Sequence, residues 1–82
     1  MATLIPNYDL AQKIGTSKVE IEAATVGELI REATTRFGEP FTTALKSATI
    51  MVNGRSVSRL QGERTPIARD DTLWLIVPSG GG

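Results

Sequence analysis

The 82-residue chain has no cysteine and no histidine. That removes disulfides, thiolate nucleophiles, imidazole bases, nucleophile–His dyads and the usual zinc sites, and few catalytic devices remain. Aromatic residues are scarce, with two Phe, one Tyr and one Trp, which leaves little for stacking on bases. Neither sign of charge is in surplus, because nine Lys plus Arg balance nine Asp plus Glu. Without a cationic excess the phosphate backbone is poorly held, so nucleic acid is not an expected partner. No stretch approaches the ~20 consecutive apolar residues of a membrane span. The opening Met1-Ala2-Thr3-Leu4 lacks the basic region and apolar block of a signal peptide. A cytoplasmic protein with no membrane partner is the expectation, and the lack of Cys fits a reducing compartment.

What is present suits one small domain. A chain of this length buries only roughly 60–65% of the surface its unfolded form exposes, enough for a modest core and too little for a deep substrate cleft. Three of the eight glycines stand together in the final Ser79-Gly80-Gly81-Gly82. No repeat, linker or other low-complexity segment accompanies them.

Ala2 to Pro6 reads as a first strand, and Asn7 to Gly15 as a helical turn or a loop. Gly15-Thr16-Ser17 is a turn signal, after which Lys18-Val19-Glu20-Ile21-Glu22 alternates with period two, as a half-buried strand does. These two strands are expected to pair as a hairpin. Thr25 followed three residues later by Glu28 is a capping box, which satisfies backbone N–H groups that a first helical turn leaves unpaired. Val26, Leu29, Ile30, Ala33 and Phe37 then make one apolar stripe. Gly38, suited to a left-handed cap, and Pro40, which cannot continue a helix, mark its end. Phe41 to Ser47 is read as a further turn of helix.

Thr49 to Val52 is a strand stopping at Asn53-Gly54, the preferred pair of a type I′ turn, with Arg55 to Ser58 as the returning strand. Gln61-Gly62-Glu63 and Pro66 break the chain into a loop or short edge element. Asp70-Asp71 turns into Thr72-Leu73-Trp74-Leu75-Ile76-Val77, whose unbroken apolar run is that of a central strand. One capped helix against such strands is an α+β roll of the β-grasp (ubiquitin-like) type, a mixed sheet covered by one main helix. The domain is expected over residues 1–78, with a flexible glycine tail over 79–82.

Several residue groups are candidate sites. The tail has no bulky side chain and ends in a carboxylate, so it can be threaded into a narrow channel. From Val77 to Gly82 it reaches about 20 Å at most. Taken alone, a glycine end is equally a frayed terminus or a cloning scar. Trp74 and Ile76 lie on the sheet face opposite Leu73, Leu75 and Val77, and one helix covers only one face. Either that second face is an interface, or the Phe41–Ser47 segment or the Gln61–Pro66 loop folds over it. Arg55, Arg59, Arg64 and Arg69 form a basic run suited to an acidic surface or a phosphate, or more plainly to solvent. Glu20 with Glu22, and Asp70 with Asp71, read as surface charge and turn chemistry, so no metal site and no catalytic residue is expected.

In this order and spacing the motifs resemble the MoaD/ThiS family of ubiquitin-like sulfur carrier proteins. Val19-Glu20-Ile21-Glu22 into Ala24-Thr25-Val26-Gly27-Glu28-Leu29 is similar to that family's second strand and helix start. The hairpin around Asn53-Gly54 is similar too, as is the final Thr65-Pro66-Ile67, Asp71-Thr72-Leu73, Ile76-Val77-Pro78 and Gly81-Gly82. The stretch from Arg59 to Pro66 and the opening Ile5-Pro6 resemble MoaD-like carriers more than the shorter thiamine-pathway ones. Two features depart from the pattern. Ser79-Gly80 fills an interval that commonly holds an apolar and a small residue, and Asp70 stands where the family usually has Gly, a substitution eased by the readiness of Asp to turn left-handed.

The resemblance implies a non-enzymatic carrier whose partners perform the chemistry. Gly82 is adenylated by an ATP-using enzyme related to ubiquitin-activating enzymes, and sulfur then replaces AMP to give a thiocarboxylate. Gly80 and Gly81 allow entry to the active site, and the face bearing Trp74 and Ile76 docks the activating enzyme. No cofactor is bound, and a sulfur-acceptor synthase of molybdopterin-type cofactor or cysteine biosynthesis is the second partner. Two rivals stand beside this: a protein modifier conjugated through Gly82 to lysines, and a non-covalent β-grasp interaction module whose tail is incidental.

Overall fold

The computed structural model of the chain describes residues 1–76. Its strands are β1 (Ala2–Ile5), β2 (Val19–Ile21), β3 (Thr49–Val52), β4 (Arg55–Ser56) and β5 (Thr72–Ile76), joined in one sheet of order β2-β1-β5-β3-β4. β1 and β5 run parallel, with Leu4 beside Leu73, and the other three pairs are antiparallel. The helices are α1 (Tyr8–Ile14), α2 (Val26–Phe37) and α3 (Glu39–Leu45), and two 3₁₀ turns follow at Val57–Arg59 and Gly62–Arg64. This is the β-grasp arrangement expected from the sequence, with the helical cover shared among three segments instead of resting on one. Among the described residues no helix is long and apolar enough to cross a membrane.

Local chemistry sets the element ends. Asn7 caps α1 by accepting the Leu10 N–H on Oδ1 at 3.2 Å, and Gly15, at φ 82°, closes it with its N–H donated to the Ala11 carbonyl at 2.9 Å. The ambiguous Asn7–Gly15 stretch is therefore a helix, and β1 and β2 pair across it instead of through a tight hairpin. Thr25 Oγ1 accepts the Glu28 N–H at 3.2 Å, while Glu28 Oε1 reaches one residue further back than a capping box does and accepts the Ala24 N–H at 3.0 Å. Gly38 has a positive φ of 66° but an extended ψ of −139°, so it is a corner and not a left-handed helical cap. Pro40 sits in the first turn of α3, where its missing N–H has no helical acceptor to lose.

Asn53 and Gly54 both have positive φ, 50° and 88°, as a type I′ turn requires. The returning strand is shorter than the expected Arg55–Ser58. Only Arg55 and Ser56 pair with β3, and at Val57 the chain curls into a 3₁₀ turn that lets this side chain pack against the core.

Alternation along the strands places Ala2, Leu4, Val19, Ile21, Ile50, Val52, Leu73 and Leu75 in one buried cluster. Val26, Leu29 and Ala33 of α2, Leu10 of α1 and Phe41 of α3 complete it. Burying each of the larger of these side chains contributes about 1.5–3 kcal/mol.

Candidate functional site

All three helices pack on the side of the sheet that carries this core, which among the described residues leaves the opposite side open. β5 shows the asymmetry most clearly: Leu73 and Leu75 are 0% and 2% exposed, whereas Trp74 and Ile76 are 47% and 48% exposed. The segments that could have covered Trp74 lie elsewhere, because α3 packs on α1 and α2, and the Gly62–Arg64 turn packs on α2.

Register builds an apolar row from three strands. Trp74 is flanked by Ile5 on β1 and Met51 on β3, Met51 faces Ser56 on β4, and Ile76 faces Thr49. Ile5 and Met51 were not singled out in the sequence. The signal was there for Met51, since the alternation that buries Ile50 and Val52 must turn Met51 to the other side. Linking it to Trp74 needs the strand pairing, which one sequence does not display.

Beyond Met51 the row runs into a recess lined by Met51, Gly54, Arg55, Ser56, Arg59 and Leu60. Leu60 is itself an exposed apolar side chain. The four arginines read as one basic run are thus divided. Arg55 and Arg59 line this recess, Arg64 rides the turn against α2, and Arg69 lines a separate hollow with Met1, Ala2 and Glu22.

The acidic candidates have structural roles or none. Glu20 is an exposed residue of β2 opposite Thr3, and Glu22 is exposed beyond the strand end. Asp71 Oδ1 accepts from Asn53 Nδ2 at 2.9 Å and Oδ2 from the Ala68 N–H at 2.8 Å. The Thr72 N–H donates to Asn53 Oδ1 at 3.3 Å, so the hairpin turn is clasped to the start of β5. The Ala68 N–H, and after it the Asn53 amide, hold the Asp71 carboxyl below its ordinary value of 3.8. Asp70 does not adopt a positive φ, so the position where the family usually has glycine needs no left-handed backbone here. Among the described residues no group of three or more acidic, His or Cys side chains is placed to hold a metal.

Gly80, Gly81 and Gly82, the tail positions singled out in the sequence, lie outside the described residues, and so does the 78/79 boundary drawn there. The structure carries the chain as far as Ile76, on the strand at the centre of the open face.

Residues 7–82 match the model of the ThiS family. A comparison with curated proteins finds no match. Among solved structures, a chain of the Amycolatopsis orientalis BexX/CysO complex is similar with a TM-score of 0.87 at 23% identity, covering 100% of both chains. The small archaeal modifier protein 1 of Methanosarcina acetivorans is similar with a TM-score of 0.86 at 17% identity, covering 99% of this chain and 95% of its own. A chain of the complex of subunits 1 and 2 of the Helicobacter pylori molybdopterin-converting factor gives 0.71 at 20% identity, covering 99% and 97%. At these identities the structural likenesses carry the fold, and the family rests on the match over residues 7–82.

Proposed function

Because the chain belongs to the ThiS family of ubiquitin-like sulfur carriers, we propose that it carries sulfur on the carboxylate of Gly82 as a co-substrate of other enzymes. The observation that carries this reading is a family match that runs through Gly82, on a body whose open face surrounds the strand leading to it. The chemistry is coherent. A glycine carboxylate is a poor electrophile, transfer of AMP from ATP onto it supplies a leaving group and releases pyrophosphate, and a sulfur nucleophile then displaces AMP, a net exchange of one oxygen for one sulfur. Gly80 and Gly81 keep the approach narrow and free of side chains.

In this reading Trp74 and Ile76, with Ile5 and Met51 beside them, dock the adenylating enzyme while residues 77–82, at most about 20 Å when extended, enter its active site. The second partner is a synthase that accepts the sulfur for a molybdopterin-type cofactor or for cysteine. Support for a synthase-type partner comes from the likeness to chains solved in the BexX/CysO complex and in the two-subunit molybdopterin-converting factor. Incubation with the cognate adenylating enzyme, ATP and a sulfur source should raise the intact mass by one oxygen-to-sulfur exchange. A chain verified to end at Gly82 that never shows this gain excludes the carrier role.

The likeness to a small archaeal modifier protein favours one second reading, in which Gly82 is joined to lysines of other proteins. It predicts Gly-Gly remnants on lysines in digests of the source cell, and their absence would remove it.

A further inference from the structure

Resting on the reading that the open face docks the adenylating enzyme, we infer that the recess beside Met51 is a receptor for partner carboxylates. In it the guanidinium groups of Arg55 and Arg59 receive Asp or Glu side chains that border an apolar patch on that enzyme. Three observations lead there. The recess adjoins the Ile5–Trp74–Met51 row at Met51 and lies at the edge strand β4, where Ser56 pairs with Met51 and Arg55 with Val52. Its lining is apolar at Met51 and Leu60, whereas its two longest side chains, Arg55 and Arg59, are cationic and exposed. Among the described residues the one ion pair is Arg36 with Glu32, at 3.2 Å on α2, and neither recess arginine pairs with a carboxylate there.

Guanidinium groups beside an apolar surface match carboxylates in geometry as well as in charge, because the planar fork pairs with both oxygens. Such a pairing at the rim of an apolar contact steers encounter and fixes register, and its hallmark is sensitivity to salt.

Size decides against a second copy of this chain as the occupant. The five-stranded face is about 20 Å across and about 15 Å along its strands, a footprint of roughly 300 Å², against about 800 Å² per partner in a stable interface. An occupant must therefore gain contact elsewhere, as an enzyme that also grips the tail does.

The test is carrier-dependent ATP–pyrophosphate exchange by the cognate adenylating enzyme, with the carrier's KM and kcat read at 50 and 200 mM salt. Arg55→Glu with Arg59→Glu should raise KM about tenfold or more, leave kcat within about twofold and flatten the salt dependence. Arg55→Gln with Arg59→Gln should give a smaller rise in the same direction. Arg64→Glu with Arg69→Glu makes the same change in net charge away from the recess and should move KM by less than about threefold. Equal effects of the two charge reversals, or a wild-type KM in the recess variant, overturn the assignment. If Trp74→Ala raises KM while the recess variants do not, docking on the open face stands and the carboxylate receptor falls. If the wild-type chain supports no exchange at all, the carrier reading fails and this inference fails with it. A shift of the recess variant's own monomer–dimer balance in sedimentation would assign the arginines to self-association instead.

Discussion

Thr25 and Asp71 each hold a chain reversal through side-chain oxygens, and each makes a residue-scale prediction. Removing the Thr25 hydroxyl leaves the Glu28 N–H without its acceptor. Thr25→Ala should cost about 1 kcal/mol, or about 4–8 °C in melting temperature for a domain of this size, as read by circular dichroism. Asp71 adds a pH dependence. Its folded carboxyl titrates below the ordinary 3.8 because the ionised form accepts from Ala68 and Asn53. Its contribution is therefore present above 3.8 and is lost as the pH falls through the lower folded value. Asp71→Asn should unfold at lower urea than wild type at pH 7, and the two midpoints should converge as the pH is taken below 3.8. A gap that stays constant through the acid range would show that the charge is not what the clasp uses.

At the scale of elements, α2 and the Gly62–Arg64 turn meet so closely that a Cβ on Gly27 would lie 3.2 Å from the Glu63 carbonyl oxygen. That turn is anchored: the Val26 N–H donates to the Thr65 carbonyl at 3.0 Å, and the Gln61 N–H to Thr65 Oγ1 at 3.1 Å. Gly27→Ala gains helix propensity of up to about 1 kcal/mol but must push an anchored backbone aside, so a net loss of stability is expected in denaturant melts. A net gain would show that the turn yields freely. Elements whose ends are set by neighbours in sequence were legible: α2 from Thr25, Glu28 and its stripe, and the β3–β4 hairpin from Asn53-Gly54. α1 was ambiguous because it buries only Leu10, although its caps, Asn7 and Gly15, are both visible in the chain. β4 was overread because Val57 leaves the strand for a packing contact that lies across the fold. The open face was half legible, since alternation separates Trp74 from Leu73 but says nothing about which strand brings Met51 to its side.

For the whole molecule, one-sided coverage separates the groups that hold the fold from those we propose to meet partners. Phe41 is 1% exposed, and Phe41→Ala should cost about 3–5 kcal/mol, much of a total of about 4–12 kcal/mol for a chain of this length. Trp74→Ala should instead leave the urea midpoint nearly unchanged and raise the carrier's KM in pyrophosphate exchange. A large drop in stability on losing Trp74 would mean that the face is part of the core. The central place of β5 has a mechanical consequence as well. Its parallel neighbour β1 and antiparallel neighbour β3 hold it along both edges, so a pull directed along β5 past Ile76 loads those hydrogen bonds together in shear. An edge strand would unzip them one at a time. A partner can therefore haul on the chain beyond Ile76 and tow the domain as a rigid load, the force passing into the sheet without peeling it open.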